Sequence, residues 1–513
     1  MRQYEMFELT YTAPAPAPAG SQAEIELNAV FSCGGERVAV KGFYAGDETY
    51  KVRFLPMRAG EWRYTVSGAV SDVGQATALP AERHGPVRAD GCHFCYADGA
   101  RYSPFGTTVY ALAHQDSQTT EETFRSLTAA PFNKVRLCLF PKHYEYNHNE
   151  PELYAFEKDA AGNWDVNRPC FAFWDAFEEK LIKLDKLGIQ ADLILLHSYD
   201  RWGFSRLGQK HNLIYLDYLL RRFSAFPNIW WSLANEYDLI YHMTVQDWEE
   251  IESFVTANDP YGHLLSNHNC FAPWDAARPN ITHVSIQTRQ LTRIAEWRST
   301  YNKPVVVDEC CYEGDLPQFW GCISGKEMVR RFWRVVITGG YCTHGETFLD
   351  PDDIIWWAKG GRLKGESVSR IVFLRELVKA LPGPLEPMSF GLRDVHEMAI
   401  SLDLERTLVE LAPGYAAFIR SFARMDKAEA ASYLATEFSY MGRYKDEAFL
   451  IFYDQRCCAR DTLALPNNRT YRVELIDIWN MSRDVIAKHV CGKTDIYLPA
   501  KEDMAVLVLA DGE

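Results

Sequence analysis

The chain has 513 residues, of which 47% are hydrophobic and 24% charged, and its formal net charge is −15. This length predicts several domains, because single hydrophobic cores stop growing at roughly 250–300 residues. The composition is typical of a soluble globular protein, and the negative charge argues against a surface for nucleic acid or anionic lipid. No apolar run reaches the roughly 20 residues of a membrane-spanning helix. We therefore expect neither nucleic acid nor a membrane as a partner.

The thirteen cysteines are an odd number, and many lie in apolar segments that we predict as strands. This pattern favours reduced, buried side chains over a disulfide framework. Cys92 and Cys95 have the spacing of half a zinc site, but no second pair follows at matching spacing. We predict no metal and no cofactor. Residues 1–8 contain no apolar stretch of secretory length, so we expect a cytoplasmic protein if Met1 is the native start.

Residues 1–88 are predicted to form an N-terminal β-sandwich. Polar and apolar residues alternate over 23–30, 50–56 and 60–66, between Gly and Pro turns. Short strands at this spacing are typical of a sandwich. The Ala-Pro repeat at 13–19 is predicted to be a stiff loop between strands, with a disordered flap as the alternative.

From residue 89 to residue 383, strand and helix patterns alternate. Helical periodicity fills the intervals between apolar strands, for example over 173–187, and residues 361–381 are predicted as the closing helix. Eight such repeats predict a (β/α)8 barrel; a doubly wound sheet would not place polar residues at nearly every strand end. The predicted strands are 106–111, 133–140, 189–197, 228–236, 263–268, 283–287, 304–309 and 338–344.

Residues 384–513 are predicted to form a second β-sandwich. The clearest strand patterns there are 449–454, 471–479 and 504–509. We find no internal repeat of solenoid length. The predicted fold class is thus α/β, a TIM barrel flanked by N-terminal and C-terminal β-sandwich domains.

Two glutamates stand at the ends of predicted barrel strands. Glu236 ends the fourth strand and Glu309 ends the seventh. The carboxyl ends of barrel strands meet at the mouth, where such enzymes place their chemistry. Cleavage of a glycosidic bond needs one acid to protonate the leaving oxygen and a second carboxylate to attack the sugar or to activate water. We predict that these glutamates form that pair; for each, the alternative is a helix cap or an ion pair.

Other polar and aromatic side chains near the strand ends are predicted to bind the substrate. Asn235 would orient a sugar hydroxyl and fix Glu236, with a turn cap as its alternative. Arg136 would keep a carboxylate ionised, with a structural ion pair as its alternative. His344 and Glu346 form a further polar cluster without an assigned role. The remaining candidates, each with a structural or plain loop role as the alternative, are His114, Lys142, His143, His197, Tyr199, Trp202, His268 and Gln287.

This set of residues resembles the clan of retaining (β/α)8 glycosidases that includes the family-5 cellulases and mannanases. The residues that carry the resemblance are Arg136, His197, the Asn235-Glu236 pair and Glu309. More narrowly, three segments look like the cellulase-like domain related to β-apiosidases, and the flanking sandwiches are similar to the small β-domains that accompany it in many bacterial proteins. These segments are 106–115, 132–144 and 197–204.

The resemblance implies a retaining enzyme in which Glu236 is the acid/base and Glu309 the nucleophile, with no metal or organic cofactor. Members of the clan usually carry a Tyr after the sixth strand that hydrogen-bonds the nucleophile, where this chain has Ser285 and Gln287. Either Gln287 replaces that group or another loop supplies it.

The leading prediction is an exo-acting glycosidase whose partner is a short oligosaccharide or a glycoside. Endo-action on a polymer would predict an open groove lined by Trp274, Trp320, Trp356 or Trp357. A transglycosidase would use the same residues, and a sugar-binding protein on a degenerate barrel is the non-enzymatic alternative. A homo-oligomer is left open.

Overall fold

The structure is a computed structural model that describes residues 1–17, 20–388, 413–426, 429 and 440–511. The chain divides into two compact units. The first unit contains the N-terminal β-domain and all eight barrel strands, and the second contains the C-terminal β-domain. Their ranges are Met1–Arg289, Trp297–Gly325 and Tyr341–Val368 for the first, and Gln290–Glu296, Lys326–Gly340 and Ser369–Glu513 for the second.

The N-terminal domain is a sandwich of two antiparallel sheets. Its strands are β1 (Phe7–Thr12), β2 (Leu27–Cys33), β3 (Glu36–Lys41), β4 (Phe43–Tyr44), β5 (Thr49–Phe54), β6 (Gly60–Gly68) and β7 (Asp72–Ala78). One sheet has the order β1-β5-β4 and the other β3-β2-β6-β7. Phe31 on β2 stacks on Phe54 of β5 at 4.0 Å, with Trp62 fully buried beside them. These rings fill the space between the two sheets.

Two features of this domain differ in detail from the sequence pattern. The strand expected at 23–30 is β2, which begins later and continues to Cys33, because the glycines that make the turn to β3 stand at 34 and 35, both with positive φ. Residues 13–17 of the Ala-Pro repeat form a loop without regular structure, held by the Tyr50 hydroxyl donating to Pro14 O at 2.7 Å. Residues 18 and 19 lie outside the described residues.

A small antiparallel sheet precedes the barrel and covers the amino-terminal ends of its strands. Its strands are β8 (Val87–Asp90), β9 (His93–Tyr96) and β10 (Arg101–Tyr102), in the order β10-β9-β8. Phe94 packs with Trp230, Val306 and Tyr341, which lie at the starts of barrel strands. Cys92 and Cys95 flank this contact, and none of the thirteen cysteines, all of which the structure describes, forms a disulfide.

Strands and helices then alternate along the chain as in a (β/α)8 barrel. In chain order they are β11 (Phe105–Thr108), α1 (Ser117–Ala129), β12 (Lys134–Cys138), β13 (Phe156–Lys158), β14 (Trp164–Pro169), α2 (Phe171–Lys186), β15 (Gln190–His197), α3 (Gln209–Phe223), β16 (Ile229–Asn235), α4 (Val245–Asn258), β17 (Leu265–Ser266), β18 (Val284–Gln287), α5 (Ile294–Tyr301), β19 (Val305–Glu309), β20 (Glu313–Gly314), α6 (Gly325–Ile337), β21 (Tyr341–His344), β22 (Glu346–Thr347), α7 (Trp356–Lys359) and α8 (Ser367–Lys379). Single 3-10 turns occur at Leu112–His114, Phe204–Arg206, Tyr237–Leu239 and Leu291–Arg293.

The eight barrel strands form one parallel sheet in the order β17-β16-β15-β12-β11-β21-β19-β18. Counted along the chain this is 5-4-3-2-1-8-7-6, so each predicted strand is present and has its expected neighbours. The remaining seam, between the fifth and sixth strands, is bridged by Thr282 N–H donating to Leu265 O at 2.9 Å and by Gln287 N–H donating to the Asn269 side chain at 3.2 Å. The predicted TIM barrel is confirmed.

Helix starts and ends follow local capping chemistry. The side chain of Asp116 accepts from Thr119 N–H at the start of α1, and Thr244 and Asp247 form a capping box at the start of α4. The closing helix, expected over 361–381, is α8 and begins at residue 367. The preceding residues instead turn their backbone N–H groups toward two buried carboxylates of the loops after the seventh and eighth strands.

Beneath the mouth, the barrel interior holds four charged side chains with no solvent exposure. The Lys134 ammonium lies 2.7 Å from Asp192 Oδ2 and 2.6 Å from Asp308 Oδ1. Arg136 Nη1 lies 3.1 Å from Asp192 and 3.2 Å from Asp308. Burial alone would raise the pKa of Asp308, but the charges of Lys134 and Arg136 hold it well below its usual range. Two positive and two negative groups thus offset one another in a site closed to solvent.

The C-terminal domain is a second β-sandwich, as predicted. Its elements are β23 (Glu386–Pro387), α9 (Pro413–Arg424), β24 (Tyr440–Tyr444), β25 (Ala448–Phe452), β26 (Arg460–Ala464), β27 (Tyr471–Asp477), β28 (Ser482–Val490), β29 (Lys493–Tyr497) and β30 (Met504–Ala510). The larger sheet has the order β23-β24-β25-β30-β27-β28, and β26 pairs with β29. Leu463 and Ile496 of this two-stranded sheet pack on Phe449, Val473 and Val506 of the larger sheet. The domain boundaries at residues 88 and 383 stay predictions.

No helix among the described residues combines the length and the apolar composition needed to cross a membrane.

Replacing Lys134 with Met is expected to destabilise the fold by about 3–5 kcal/mol, because both aspartates stay buried while their shared ammonium is lost. Denaturant unfolding would measure the change. Adding Asp308→Asn should recover part of the loss, because it removes one uncompensated charge. A double variant less stable than Lys134→Met alone would contradict this account of the interior.

Candidate active site

Glu236 is aimed into the barrel mouth by a strained turn at the end of β16. Its backbone is left-handed, with φ of 55°, a conformation that residues other than glycine rarely adopt. His268, at the end of the fifth strand, holds the turn: its Nδ1 accepts from Glu236 N–H at 3.4 Å and its carbonyl accepts from Tyr237 N–H at 2.9 Å. Such strain persists only where the surroundings enforce it, and it concentrates at functional sites.

The Glu236 carboxylate is only 5% exposed and has two side-chain donors on one oxygen. Asn235 Nδ2 donates to Oε2 at 3.0 Å, and the hydroxyl of Tyr199, from the loop after the third strand, donates to the same atom. The other oxygen, Oε1, faces Gln287. Hydrogen bonds thus fix the orientation of this carboxylate.

Glu309 ends β19 and is partly exposed at the mouth. The register between β18 and β19 shifts here: Ile286 pairs with Val307, and Gln287 pairs with Glu309. The extra residue, Asp308, makes a bulge, a device that re-aims side chains beside active sites. Asp308 therefore joins the interior ion pairs, and Glu309 faces the mouth.

A tyrosine from the first strand end holds Glu309. The Tyr110 hydroxyl donates to Glu309 Oε1, and the Tyr312 hydroxyl lies 3.5 Å from that of Tyr110. Sequence reasoning missed Tyr110 because it extended the first strand to residue 111, which made Tyr110 an interior strand residue. The observed strand ends at Thr108, so Tyr110 belongs to the polar residues that follow strand ends.

Gln287 bridges the two glutamates. In the amide orientation that satisfies both of its polar atoms, Nε2 donates to Glu309 Oε2 at 2.8 Å and to Glu236 Oε1 at 3.3 Å. The amide oxygen then faces the Cys270 thiol 3.8 Å away. The two facing carboxylate oxygens are therefore no farther apart than the sum of the two donor distances. Gln287 and Tyr110 thus supply hydrogen bonds to Glu309, the contact that members of the clan usually make with a Tyr after the sixth strand.

Lys142 places a positive charge next to the pair. It is 2% exposed, and its ammonium lies 3.7 Å from the ring centre of Tyr110 and 4.4 Å from that of Tyr199. An ammonium over aromatic faces is held by cation–π attraction. It thus contacts the same two phenols that donate to Glu309 and Glu236.

The electrostatics favour a proton on Glu309 up to near neutral pH. Burial and the nearby Glu236 charge raise the pKa of Glu309 to about 7. Lys142, the Tyr110 hydroxyl and Arg136 act in the opposite direction and favour the ionised form. The ionised form of Glu309 is thus costly because a second carboxylate lies close to it.

Arg136 is connected to Glu236 through Asn235. Besides its ion pairs with the interior aspartates, its Nη2 donates to Asn235 Oδ1 at 3.4 Å, and Asn235 in turn donates to Glu236. The structure thus places Arg136 in the buried ion network and beneath Asn235.

The predicted histidines occupy three different environments. His268 supports the Glu236 turn, and burial lowers its pKa well below its ordinary value. His197 Nε2 lies 3.1 Å from Phe140 O, and His114 Nε2 lies 2.9 Å from Leu139 O; burial lowers the pKa of each to about 4. Both of these rings bind backbone carbonyls of the loop after the second strand, so the structure assigns them to holding that loop.

His143 and Trp202 lie along one rim of the site. His143 N–H donates to Tyr199 O at 2.8 Å, and the ring lies edge-on to Trp202 with centres 6.0 Å apart. Trp202 Nε1 donates to Glu150 at 2.7 Å. This rim extends outward from Tyr199.

The tryptophans expected to line an open groove are mainly buried. Trp274, Trp356 and Trp357 are 8%, 2% and 8% exposed, and Trp320 is partly exposed against Trp357. The highly exposed aromatics in the loops that follow barrel strands are instead Tyr241, Phe271 and Phe319, at 80–88%.

Comparisons with known proteins agree with the geometry. Residues 88–364 match the family model described as an apiosidase-like catalytic domain. Residues 1–69 and 438–509 match two domains of unknown function, DUF5060 and DUF5605. No curated protein matches.

Two crystal structures from Bacteroides vulgatus ATCC 8482 are similar to the chain. One protein, provisionally described as a glycoside hydrolase, is 34% identical over 99% of each chain, with a TM-score of 0.84. The other, a glycoside hydrolase of family 5, is 15% identical over 83% of this chain and 93% of its own, with a TM-score of 0.59, and so supports the fold. Both the family match and the first structure cover more than half of the chain. The chain belongs to the family of apiosidase-like catalytic domains, and its barrel has the fold of glycoside hydrolases.

Proposed function

We propose that the protein is a retaining glycoside hydrolase in which Glu309 is the nucleophile and Glu236 the acid/base. The observation that carries the proposal is that both carboxylates contact one amide, that of Gln287, across the barrel mouth. Retaining enzymes hold their carboxyls about 5–5.5 Å apart, and inverting enzymes about 6.5–9.5 Å apart to admit a water molecule. The sum of the two donor distances to Gln287 lies below the inverting range, which supports retention.

The division of roles follows the resemblance to the clan of retaining (β/α)8 glycosidases. In the first step Glu309 attacks the anomeric carbon, the glycosidic bond breaks, and Glu236 gives its proton to the departing oxygen. In the second step Glu236 takes a proton from water, whose oxygen displaces Glu309 from the sugar. Tyr110 and Lys142 support the ionised form of Glu309 that the first step requires.

We propose exo-action on a short oligosaccharide or glycoside. Trp274, Trp356 and Trp357 are buried and expose little ring surface on which an extended sugar chain could stack, which supports a confined site over the groove of an endo-enzyme. The family's description directs the first substrate tests to terminal apiosyl residues and other pentofuranosides, together with pyranosides. We further propose that the enzyme hydrolyses its substrate rather than transferring the sugar to an acceptor, which product analysis with added acceptor would test. We also propose a cytoplasmic location, which cell fractionation would test.

A panel of aryl glycosides, run beside Glu236→Ala and Glu309→Ala, tests the two roles. Both variants are expected to lose turnover and to regain it with azide, because azide replaces either the missing nucleophile or the activated water. Glu309→Ala should give a glycosyl azide of inverted configuration and Glu236→Ala one of retained configuration. Glu250→Ala, which alters an exposed glutamate on α4, should match the native chain. Turnover that survives in either catalytic variant without azide would exclude the assignment.

Tyr110→Phe is expected to lower kcat/KM by about 10- to 150-fold, because a hydrogen bond to a charged group contributes about 1.5–3 kcal/mol. The variant removes the donor to Glu309 and keeps the ring beneath Lys142. Tyr215→Phe is the matched control, since this buried phenol donates to Leu195 O at 3.2 Å. Equal effects from the two variants would show that the Tyr110 hydroxyl has no particular role.

The pH profile of kcat/KM is expected to rise with pH up to about 7, because burial and the Glu236 charge raise the pKa of Glu309 to about 7 and the nucleophile must be ionised. Glu236→Gln removes the charge that helps raise this pKa. With a dinitrophenyl glycoside, whose leaving group needs no acid, the acid limb of this variant should lie at a lower pH than that of the native chain. An acid limb that stays in place in Glu236→Gln would mean that a group other than Glu309 sets it.

A further inference from the structure

A second group of acids lies beyond the ends of the seventh and eighth strands. Glu313 on β20 pairs side by side with Glu346 on β22, and His344 ends the eighth strand, β21. The three side chains are 2%, 1% and 0% exposed. One nitrogen or oxygen from each lies within 4.8 Å of those of the other two. The proposed glycosidase mechanism uses none of them.

Among the described residues, neither of the two carboxylates is paired with a lysine or arginine side chain. Glu313 accepts from Glu366 N–H at 2.7 Å and from the Ser367 hydroxyl at 2.5 Å, and Glu346 Oε2 accepts from Lys364 N–H at 2.7 Å. In the described part of the chain, no lysine or arginine forms an ion pair with either one. Two buried carboxylates side by side are costly unless a cation compensates them.

Two polar atoms of the group face each other without partners. His344 Nε2 and Glu346 Oε1 are buried, accept or donate no hydrogen bond within the described structure, and lie 3.6 Å apart. This separation exceeds that of a hydrogen bond. It is close to the roughly 3.4 Å that separates two ligands about 2.1 Å from a tetrahedral zinc ion.

The histidine ring is held in the orientation that a metal ligand needs. Nδ1 lies 3.2 Å from Thr107 Oγ1, and the ring stacks on Phe132 with centres 4.7 Å apart. A neighbouring group on the second nitrogen fixes the direction of the ring, as is usual for metal-bound histidines. Nε2 then points toward the two carboxylates.

A glycine keeps the space between these donors open. A Cβ at position 365 would lie 2.4 Å from Glu313 Oε2 and 2.7 Å from Glu346 Oε1. The backbone there approaches both oxygens, and no side chain fills the gap between them.

We propose that Glu313, His344 and Glu346 bind a divalent transition-metal ion of the Zn²⁺ type. A histidine nitrogen with two carboxylate oxygens suits zinc or manganese better than calcium or magnesium, which prefer oxygen ligands alone. The ion's two positive charges would balance the two carboxylates. Because all three ligands are buried and separate from the glutamate pair at the mouth, the ion is structural and joins the loops that follow the seventh and eighth strands.

Metal analysis of the intact chain tests the proposal directly. The protein is stripped with a chelator, incubated with ZnCl₂, desalted and analysed by mass spectrometry, and we expect about one zinc per chain. Glu346→Gln and His344→Ala should each reduce this at least five-fold. Glu252→Gln is the matched control, because Glu252 is fully buried but is paired with Arg278. A native chain that retains no Zn²⁺, Mn²⁺, Co²⁺ or Ni²⁺, or variants that bind as much as native, would overturn the site.

Thermal unfolding distinguishes the ion from a protonated His344 paired with Glu346. If the site binds zinc, Zn²⁺ raises the Tm of the stripped native chain and leaves that of Glu346→Gln unchanged. If a proton alone compensates the carboxylates, Zn²⁺ changes neither Tm, and the proposal fails. Co²⁺ loading adds a spectroscopic readout, since a His nitrogen ligand gives visible absorption that His344→Ala should abolish. None of these measurements depends on glycosidase activity.

Discussion

Glu236 and Glu309 lie beside one amide at the barrel mouth, and the repulsion between the two carboxylates is the constraint that explains the other side chains of the site. At low dielectric, two like charges at this separation cannot both be ionised cheaply. The groups around them are accordingly donors or cations: Tyr110 for Glu309, Tyr199 for Glu236, and the Lys142 ammonium over both phenol rings. The raised pKa of Glu309 is the electrostatic consequence of this close approach.

The layer beneath the mouth combines buried charges of opposite sign. There, Lys134, Arg136 and two aspartates are buried as a neutral set, so attraction replaces repulsion. The bulge in β19 separates the layers, because it directs Asp308 into the neutral set and leaves Glu309 for the mouth. Arg136 joins the two layers through Asn235. The two layers are thus connected by hydrogen bonds as well as by charge.

The sequence was most informative where apolar residues repeat with the period of a strand or helix and where a polar residue follows the end of a strand. Eight apolar runs ending in polar residues predicted the order of the barrel strands, and Glu236 and Glu309 followed from their positions at strand ends. Contacts between distant loops carry no such signal. The role of Tyr110 depends on a strand ending three residues earlier than its apolar pattern, and the Gln287 contacts depend on a bulge. His114 matched the pattern of a site residue, yet its ring binds a backbone carbonyl, a partner that residue type cannot reveal.

The loop after the seventh strand shows how one short segment serves two environments. Tyr312 and Glu313 are neighbours in an extended stretch, and successive side chains of such a stretch point to opposite sides. Tyr312 contacts Tyr110 on the side of the mouth, while Glu313 faces the buried acids on the other. One continuous backbone segment thus contributes both to the surroundings of Glu309 and to the buried acids, so the position of this loop is shared by the two groups.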